Sequence, residues 1–282
     1  MRARAHVTAR PARSAPSNVL DSRWFMVAAR VLVVLMVLGG WQYVAVSGVL
    51  GKDAFPTMTG TLAELARQLG SHDLWLAVWA TVRGWALGVL IGGSLAIVVG
   101  TLLGLNRFAY LSVIPVVEFV KTVPVIAILP LAIVVWGATL QMKVFLVAFG
   151  VFWPLTIQVI YGVRAVDPVV RDTAVVLRLR GLRKFVGVTL PSAAPFIATG
   201  LRVAAAVGLI LAVIAELIGG APGLGLSILT SVNAGPSRLP ATYAFILVTG
   251  VAGVIVTSSF AFLEQRLLHW HESQRNLASK AA

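Results

Sequence analysis

The charged side chains that could do chemistry are concentrated in one short segment of this sequence. Between Arg171 and Pro191 lie one acid, Asp172, and five cations. The cations are Arg171, Arg178, Arg180, Arg183 and Lys184. A short basic segment flanked by apolar runs can enter a groove on a partner protein, or it can lie on anionic lipid headgroups. The residues alone leave both interpretations open.

Motifs for catalysis or metal binding are absent from the sequence. No G-x4-G-K-[ST] phosphate-binding loop occurs. The four histidines form no metal-ligand grouping, and the lack of cysteine excludes disulfides and Cys-based metal sites. No pair of carboxylates lies in the middle of an apolar run, which argues against a proton-coupled carrier. We therefore expect no enzyme activity, no bound cofactor and no metal, and an energy source supplied by a partner.

The composition indicates a chain that lies mostly in a lipid bilayer. Of its 282 residues 59% are hydrophobic and 12% are charged, and the mean hydropathy is +0.92. Soluble domains carry about 25% charged residues. Five uncharged runs approach or exceed the roughly 20 residues that a helix needs to cross the bilayer. They are Val31–Gly51, Gly84–Asn106, Thr122–Met142, Val144–Val163 and Leu239–Leu263.

A sixth apolar run extends from Ser192 to about Ile218, with Arg202 and Glu216 near its two ends. Both charges can lie near the membrane interfaces, so we count this run as a span. The sequence therefore predicts an all-α integral membrane protein with six transmembrane helices. Small-residue spacings on the second span, Gly88-x3-Gly92 among them, favour close helix packing.

The distribution of basic residues predicts the orientation. Six spans place both termini on one side, and most of the 23 Lys and Arg fall on that side, which the positive-inside rule assigns to the cytoplasm. The high pI of about 11.4 then reflects cationic loops and not nucleic-acid binding. Five cations are expected outside or at the outer interface. They are Lys52, Arg67, Arg83, Lys143 and Arg238.

We divide the chain into four parts. Residues 1–23 are expected to be a disordered cytoplasmic tail, and 24–82 to hold the first span and an outer amphipathic segment. Residues 83–264 form the transmembrane core with a cytoplasmic loop at 163–195, and 265–282 form a second cytoplasmic tail. In the outer segment, 59–70 has an apolar helical face that either lies on the bilayer or receives an external partner.

The cytoplasmic loop is predicted to be a compact pair of helices. Asp167 can cap a helix that starts at Pro168, and Gly181 is a natural stop. A second short helix, about Leu182–Thr189, is expected to end before Leu190-Pro191. The loop would then be a rigid knob held between two membrane helices.

This segment resembles the EAA loop of ABC-importer permeases, whose pattern is E-A-A-x3-G-x9-I-x-L-P. The pattern positions fall on Asp172-Thr173-Ala174, Arg178 and Leu190-Pro191, with the spacing to the Leu-Pro pair intact. Seven other short motifs resemble the aliphatic sulfonate, taurine and nitrate branch of that family. They are Lys121–Pro124, Ile128–Pro130, Phe152–Pro154, Gly162–Arg164, Val166–Pro168, Gly200–Arg202 and Ala215–Gly219.

Three positions depart from the pattern: Asp172 replaces Glu, Thr173 replaces the first Ala, and Arg178 replaces Gly. If that glycine serves a turn with positive φ, an arginine there would be strained. We therefore expect either that the turn moves to Gly181 or that the first helix runs further. The change is compatible with a specialised permease that pairs with a paralogue.

The resemblance implies the type I ABC importer permease fold in a bacterial inner membrane. It implies three kinds of partner: a dimer of cytoplasmic ATP-binding subunits, a second permease copy or paralogue, and an external substrate-binding protein. It also implies that one set of residues couples the chain to the ATPase. They are Asp167, Pro168, Asp172, Thr173, Ala174, Arg178, Gly181, Leu190 and Pro191.

The sequence also suggests residues for the transport pathway. Pro124 and Pro130 each remove a backbone donor, which marks either a broken helix that lines the pathway or simple kinks. Glu216 is either part of an external gate or a residue at the outer interface. The branch suggests a sulfonate, taurine or nitrate-like anion as the substrate, with a vitamin precursor as an alternative. A stand-alone secondary carrier is the alternative class, whereas a membrane enzyme lacks any catalytic constellation.

Overall fold

The computed structural model describes residues 23–49, 51 and 55–268. The predicted tail at 1–23 lies outside this part of the chain except for its last residue, and so does the tail at 265–282 beyond residue 268. The described residues divide into two compact units, one ending at Thr59 and the other beginning at Gly60.

The first unit contains helix α1, Arg23–Ser47, which corresponds to the first predicted span. The helix starts earlier than the uncharged run because a single charge such as Arg30 does not stop a helix. After the helix the chain is tied back to it. The Trp41 indole donates to the Pro56 carbonyl at 3.0 Å, and the Thr59 amide donates to the Gln42 side-chain oxygen at 3.3 Å.

The remaining helices follow one another with short connections. They are α2 (Met58–Leu69), α3 (His72–Leu105), α4 (Arg107–Val120), α5 (Leu129–Trp136), α6 (Leu140–Arg164), α7 (Pro168–Val176), α8 (Gly181–Lys184), α9 (Leu190–Leu217), α10 (Leu224–Asn233) and α11 (Leu239–Leu267). Two 3₁₀ turns, Val125–Ile128 and Pro236–Arg238, precede α5 and α11, and a π turn, Phe185–Thr189, precedes α9.

Five helices of the described chain are long and apolar enough to cross a membrane, namely α1, α3, α6, α9 and α11. A sixth span is obtained when α4 and the segment Val125–Trp136 are counted together. Nearly all of the described residues outside the short turns are helical, which is the arrangement that lets a chain in hydrocarbon satisfy its backbone. The prediction of an all-α membrane protein is confirmed.

The third predicted span, Thr122–Met142, is not one continuous helix, in agreement with the broken helix that was one of the two expectations for Pro124 and Pro130. The two halves of the observed span are bent by 79° at a break between Val120 and Val125. Pro124 lies at this break, where it has no N–H to donate and restricts the preceding residue to extended conformations. Pro130 lies in the first turn of α5, where a helix needs no donor. Hydropathy detects the apolar length but not this bend.

The core is formed by α3, α6 and α9. Glycines of α3 lie against α6 so closely that a Cβ at Gly88 would come within 2.5 Å of Val147, and one at Gly92 would overlap the Ala148 backbone. Gly100 meets Val159 in the same way at 2.7 Å. The small-residue spacing therefore marks a true helix contact, in which the backbones of α3 and α6 pack directly on one another.

The α3–α6 contact gives the first testable prediction. Gly92→Ala should destabilise the protein by about 1 to 3 kcal/mol, because the new methyl group meets backbone that cannot rotate away. The thermal midpoint of the purified chain in detergent measures this. Gly250→Ala in α11 is the matched control, because its Cβ would meet nothing within 4 Å. An unchanged midpoint for Gly92→Ala would contradict the described packing.

Candidate functional site

Two features of the second unit are candidates for function. The first is the basic segment, residues 165–189 between α6 and α9. The second is a buried ion pair between Lys143 and Glu216. Lys143 lies in the first turn of α6 and Glu216 in the last turn of α9, so the ion pair is at the opposite end of these two helices from the basic segment. We call the two ends the basic end and the ion-pair end.

The basic segment begins with a capped helix. The Asp167 carboxylate accepts a hydrogen bond from the Val169 amide at 2.7 Å, and Pro168 occupies the first turn of α7. This satisfies a donor that a helix terminus otherwise leaves free. The predicted start of the helix is confirmed.

The end of α7 differs from both expectations. The helix ends at Val176, and Arg178 itself takes the left-handed conformation with φ +54°, as the one such non-glycine residue of the described chain. The Arg178 amide donates to Val175 O and the Leu179 amide to Ala174 O, both at 2.9 Å, which is a Schellman motif. The turn has therefore not moved to Gly181, and α7 does not run further. Arginine occupies the position that the family pattern gives to glycine.

The second part of the basic segment is also different from the prediction. Gly181, with φ +54°, begins the one-turn helix α8, which continues through the π turn into α9. The Leu190 amide donates to Phe185 O, five residues back, and Pro191 follows in the first turn of α9. No break precedes Leu190-Pro191. The wider π turn accommodates a proline, which brings no donor to the helix ladder.

The surface of the basic segment combines apolar and cationic side chains. Val176, Leu177 and Leu182 are 81%, 64% and 75% exposed, although they lie among cations. Ala174 is instead buried, so it is not part of this exposed surface. Exposed apolar residues rimmed by charges are typical of a protein interface.

The buried ion pair joins α6 to α9. Lys143 Nζ lies 2.7 Å from Glu216 Oε1, and the two side chains are 1% and 0% exposed. Lys143 also donates to the carbonyls of Ala80 and Pro222, each at 2.8 Å. The ammonium group therefore uses all three of its donors.

The second carboxylate oxygen of Glu216, Oε2, also accepts hydrogen bonds. Oε2 accepts from the Thr81 hydroxyl at 2.9 Å and from the Gly225 amide at 3.0 Å. Thr81 Oγ1 in turn accepts from the Leu224 amide at 2.9 Å. A buried charge pair is tolerated when it is fully hydrogen-bonded in this way. The network ties α3, α6 and α9 to the loop before α10.

Glycines make room for the network. A Cβ at Gly223, whose φ is +154°, would overlap the Glu216 carboxyl group. A Cβ at Gly84 would overlap the methylene chain of Lys143, and one at Gly225 would lie 2.7 Å from Glu216 Cβ. The glycine-rich run at 219–225 is therefore shaped around an ionic group and is not a flexible connector.

The location of Lys143 outside or at the outer interface stays a prediction, whereas its burial and its pairing with Glu216 were not predicted. The burial was missed because Lys143 directly precedes an uncharged run, where a lysine usually reaches the interface. A signal was available. Lys143 and Glu216 are opposite charges at the same end of two apolar runs, and charges in such runs usually pair.

The three pathway candidates do not share a surface. Pro124 and Pro130 are exposed on the bent span, whereas Glu216 is enclosed and paired. Glu216 is therefore neither a free carboxylate nor an exposed interface residue in this conformation. A role for these three residues in the pathway or gate stays a prediction.

The predicted outer helix is present as α2. Its apolar residues Leu62 and Leu69 are exposed, whereas Thr61 is buried. Arg67 hydrogen-bonds the Glu64 carboxylate with two nitrogens, and this contact lowers the pKa of Glu64. The open apolar face suits a helix that lies on a bilayer.

The fold is that of a membrane protein with several apolar helices, and comparison with known proteins gives the family. The family model described as "Binding-protein-dependent transport system inner membrane component" matches residues 88–269. The chain belongs to this family and is a permease of the ABC importer type.

Related sequences agree with this assignment. The chain is 29% identical over 242 residues to the putative aliphatic sulfonates transport permease of Bacillus subtilis, covering 86% of this chain and 87% of the relative. It is 28% identical over 197 residues to the nitrate import permease of Leptolyngbya laminosa, covering 70% of each.

Solved structures show the same fold. A chain of the MetNI methionine ABC transporter in an inward-facing conformation superposes with a TM-score of 0.59 at 18% identity, covering 70% of this chain and 95% of that one. A chain of an amino acid ABC transporter crystallised with histidines gives a TM-score of 0.55 at 17% identity, covering 76% and 97%. The type I importer permease fold is therefore confirmed.

The left-handed arginine gives the second prediction. Arg178→Gly should stabilise the protein by about 1 kcal/mol, because glycine adopts positive φ without the Cβ clash of other residues. Differential scanning calorimetry in detergent measures the change. Arg180→Gly is the matched control, since Arg180 has an ordinary extended φ of −134°. Equal effects of the two substitutions would contradict the strain at Arg178.

The ion pair gives the third prediction. Lys143→Met should destabilise the protein by about 3 to 5 kcal/mol, because it leaves the Glu216 carboxylate buried without its cation. The double variant Lys143→Met/Glu216→Gln should recover a large part of this loss. Thermal unfolding of the three proteins gives the coupling between the two sites. Additive losses would show that the two groups do not interact.

Proposed function

We propose that this chain, with a second copy or a paralogue, forms the translocation pathway of an ATP-driven importer for a small anion. The observation that carries the coupling part of the proposal is the basic segment, a helical knob that exposes apolar and cationic side chains together. We place this end of the bundle in the cytoplasm, with both termini, on the basis of the basic residues that it carries.

The basic segment would dock in a groove of a cytoplasmic ATP-binding subunit, one for each permease chain. Val176, Leu177 and Leu182 supply exposed apolar contact, and the surrounding cations select an acidic groove. Asp172, Thr173 and Arg178 would lie at this contact, with the Schellman turn fixing their direction. ATP is bound and hydrolysed by the partner, and this chain holds no cofactor.

In transport, closure of the two ATP-binding subunits would displace the grooves that hold the knobs. The knob is joined without a break to α9 and through a three-residue link to α6, so both helices would follow it. The pathway would then switch between inward-facing and outward-facing states. An external binding protein would deliver the substrate on the opposite side.

The substrate class is supported by the relatives. Two of them are named for aliphatic sulfonates and for nitrate, which are small anions with several oxygen acceptors. We infer a substrate of this chemistry, with taurine and simple alkanesulfonates as the first compounds to examine. A vitamin precursor is the alternative. A stand-alone carrier is disfavoured because it would have no use for the exposed apolar knob.

The fourth prediction tests the docking role. Val176→Glu should reduce co-purification of the ATP-binding subunit and ATP-dependent uptake of labelled taurine by about tenfold, since a charge in a dry contact costs at least 1.4 kcal/mol. Val176 is preferable to Ala174 for this purpose, because its side chain is exposed, whereas a charge at the buried Ala174 would disturb the packing of α7 as well. Val176→Leu is the matched control and should behave as the wild type. Undiminished co-purification of Val176→Glu would refute the docking role.

A further inference from the structure

Helices α6 and α9 form a hairpin that is closed at both ends. At the basic end the chain itself connects them through residues 165–189. At the ion-pair end Lys143, in the first turn of α6, meets Glu216, in the last turn of α9. The two members of the ion pair are thus at the far ends of the two helices that flank the basic segment.

Close packing joins the two helices at the basic end and in the part of the hairpin next to it. A Cβ at Gly162 would lie 3.1 Å from Ala193 O, and one at Gly200 would lie 2.8 Å from Gln158 Cβ. Neither contact leaves space for the helices to approach further. At the far end of the hairpin, the Lys143–Glu216 ion pair connects the two helices.

The ion pair also holds the loop that follows α9. Lys143 donates to Pro222 O, and Glu216 accepts from the Gly225 amide, so the end of the turn and the start of α10 are both bound to the ion pair. Ala80 O and Thr81 of α3 complete the network. Four elements meet at one buried charge pair, and each of them contributes a hydrogen bond to it.

We propose that Lys143 and Glu216 are positioning residues that lock the ion-pair end of the hairpin. Because of this lock, residues 219–225 and α10 move together with the basic segment when that segment is displaced. The pair acts through the loop and need not touch the substrate. This inference rests on the proposed function only for the origin of the displacement, an ATP-driven partner at the basic end. The lock itself is a property of this chain.

The surroundings of the two side chains fix which of them must be the cation and which the anion. Backbone carbonyls of Ala80 and Pro222 surround Lys143, whereas an amide N–H and a hydroxyl surround Glu216. A swapped pair, Lys143→Glu with Glu216→Lys, would bring a carboxylate against two carbonyls. The exchange should therefore fail to restore the lock, although a simple ion pair would tolerate it.

The lock is tested by distances within the assembled transporter. The sequence has no cysteine, so Ala165→Cys and Asn233→Cys place two spin labels, one at each end, on exposed positions. Ala165 directly follows α6 at the basic end, and Asn233 is the last residue of α10, so the pair reports on the position of α10 relative to the basic segment. With the labelled chain diluted into unlabelled permease, so that distances within one chain dominate, we expect one narrow distance peak, of the same width with and without nucleotide.

Breaking the lock should change the width of this peak. Lys143→Met and the swapped pair should each broaden it by about twofold or more, because the loop and α10 are released from the hairpin. Arg202→Met is the matched control: it removes the 3.1 Å ion pair between Arg202, near the middle of α9, and Glu264 of α11, neither of which belongs to the loop. An unchanged width in Lys143→Met, or equal broadening in Arg202→Met, would overturn the proposal.

A second readout separates the lock from simple stability. The double variant Lys143→Met/Glu216→Gln keeps the side-chain volume and removes the buried charges. It should still hydrolyse ATP in the complex but take up at least about fivefold less taurine per ATP hydrolysed. About fivefold is the lower end of the range by which two coupled sites usually affect one another. Uptake per ATP at the wild-type ratio would overturn the proposal. If the unchanged chain fails to bind an ATPase, the proposed function fails, whereas the spin-label distances still decide the lock.

Discussion

The contact between the Lys143 ammonium and the Glu216 carboxylate is the interaction on which one end of this membrane bundle depends. Removing two charges from water is costly, and the cost is offset here by a fully used set of hydrogen-bond partners. The partners come from α3, from Pro222 in the loop, from Gly225 at the start of α10 and from the pair itself. A displacement of any of these elements would leave a buried charged group short of a hydrogen bond, so their arrangement is strongly specified.

The two ends of the α6–α9 hairpin have opposite physical character. The ion-pair end is enclosed, with its polar groups paired and its glycines placed where a Cβ would collide. The basic end is open, with apolar side chains such as Val176 exposed among arginines. An open end with exposed apolar side chains suits a contact with another subunit. An enclosed end with paired polar groups suits the transmission of a helix movement to the loop and α10. A rigid hairpin between them connects the two roles.

The sequence predicts most of the fold because the bilayer dictates it. Apolar runs of sufficient length must be helices in hydrocarbon, and Asp167-Pro168 is a helix start by local chemistry alone. The break at Pro124 was harder to place, since proline in a membrane helix either kinks it or breaks it. Nothing in the local pattern shows that Arg178 would accept a left-handed conformation, because that choice depends on the Schellman bonds around it.

One part of the candidate site could be predicted from the sequence and the other could not, because only the first depends on local residues. The basic segment is visible in the sequence because its cations interrupt apolar runs. The burial of Lys143 depends on which helix faces it, and only the packing of α3 against α6 and α9 determines that.

The most direct test of this account is a structure of the complete transporter determined with and without bound nucleotide. The account predicts that α7 lies in a groove of the ATP-binding subunit in both states. It also predicts that Lys143 and Glu216 remain in contact while α6, α9 and the loop 219–225 move together. A basic segment free of the ATP-binding subunit, or a loop that moves while the ion pair separates, would contradict it.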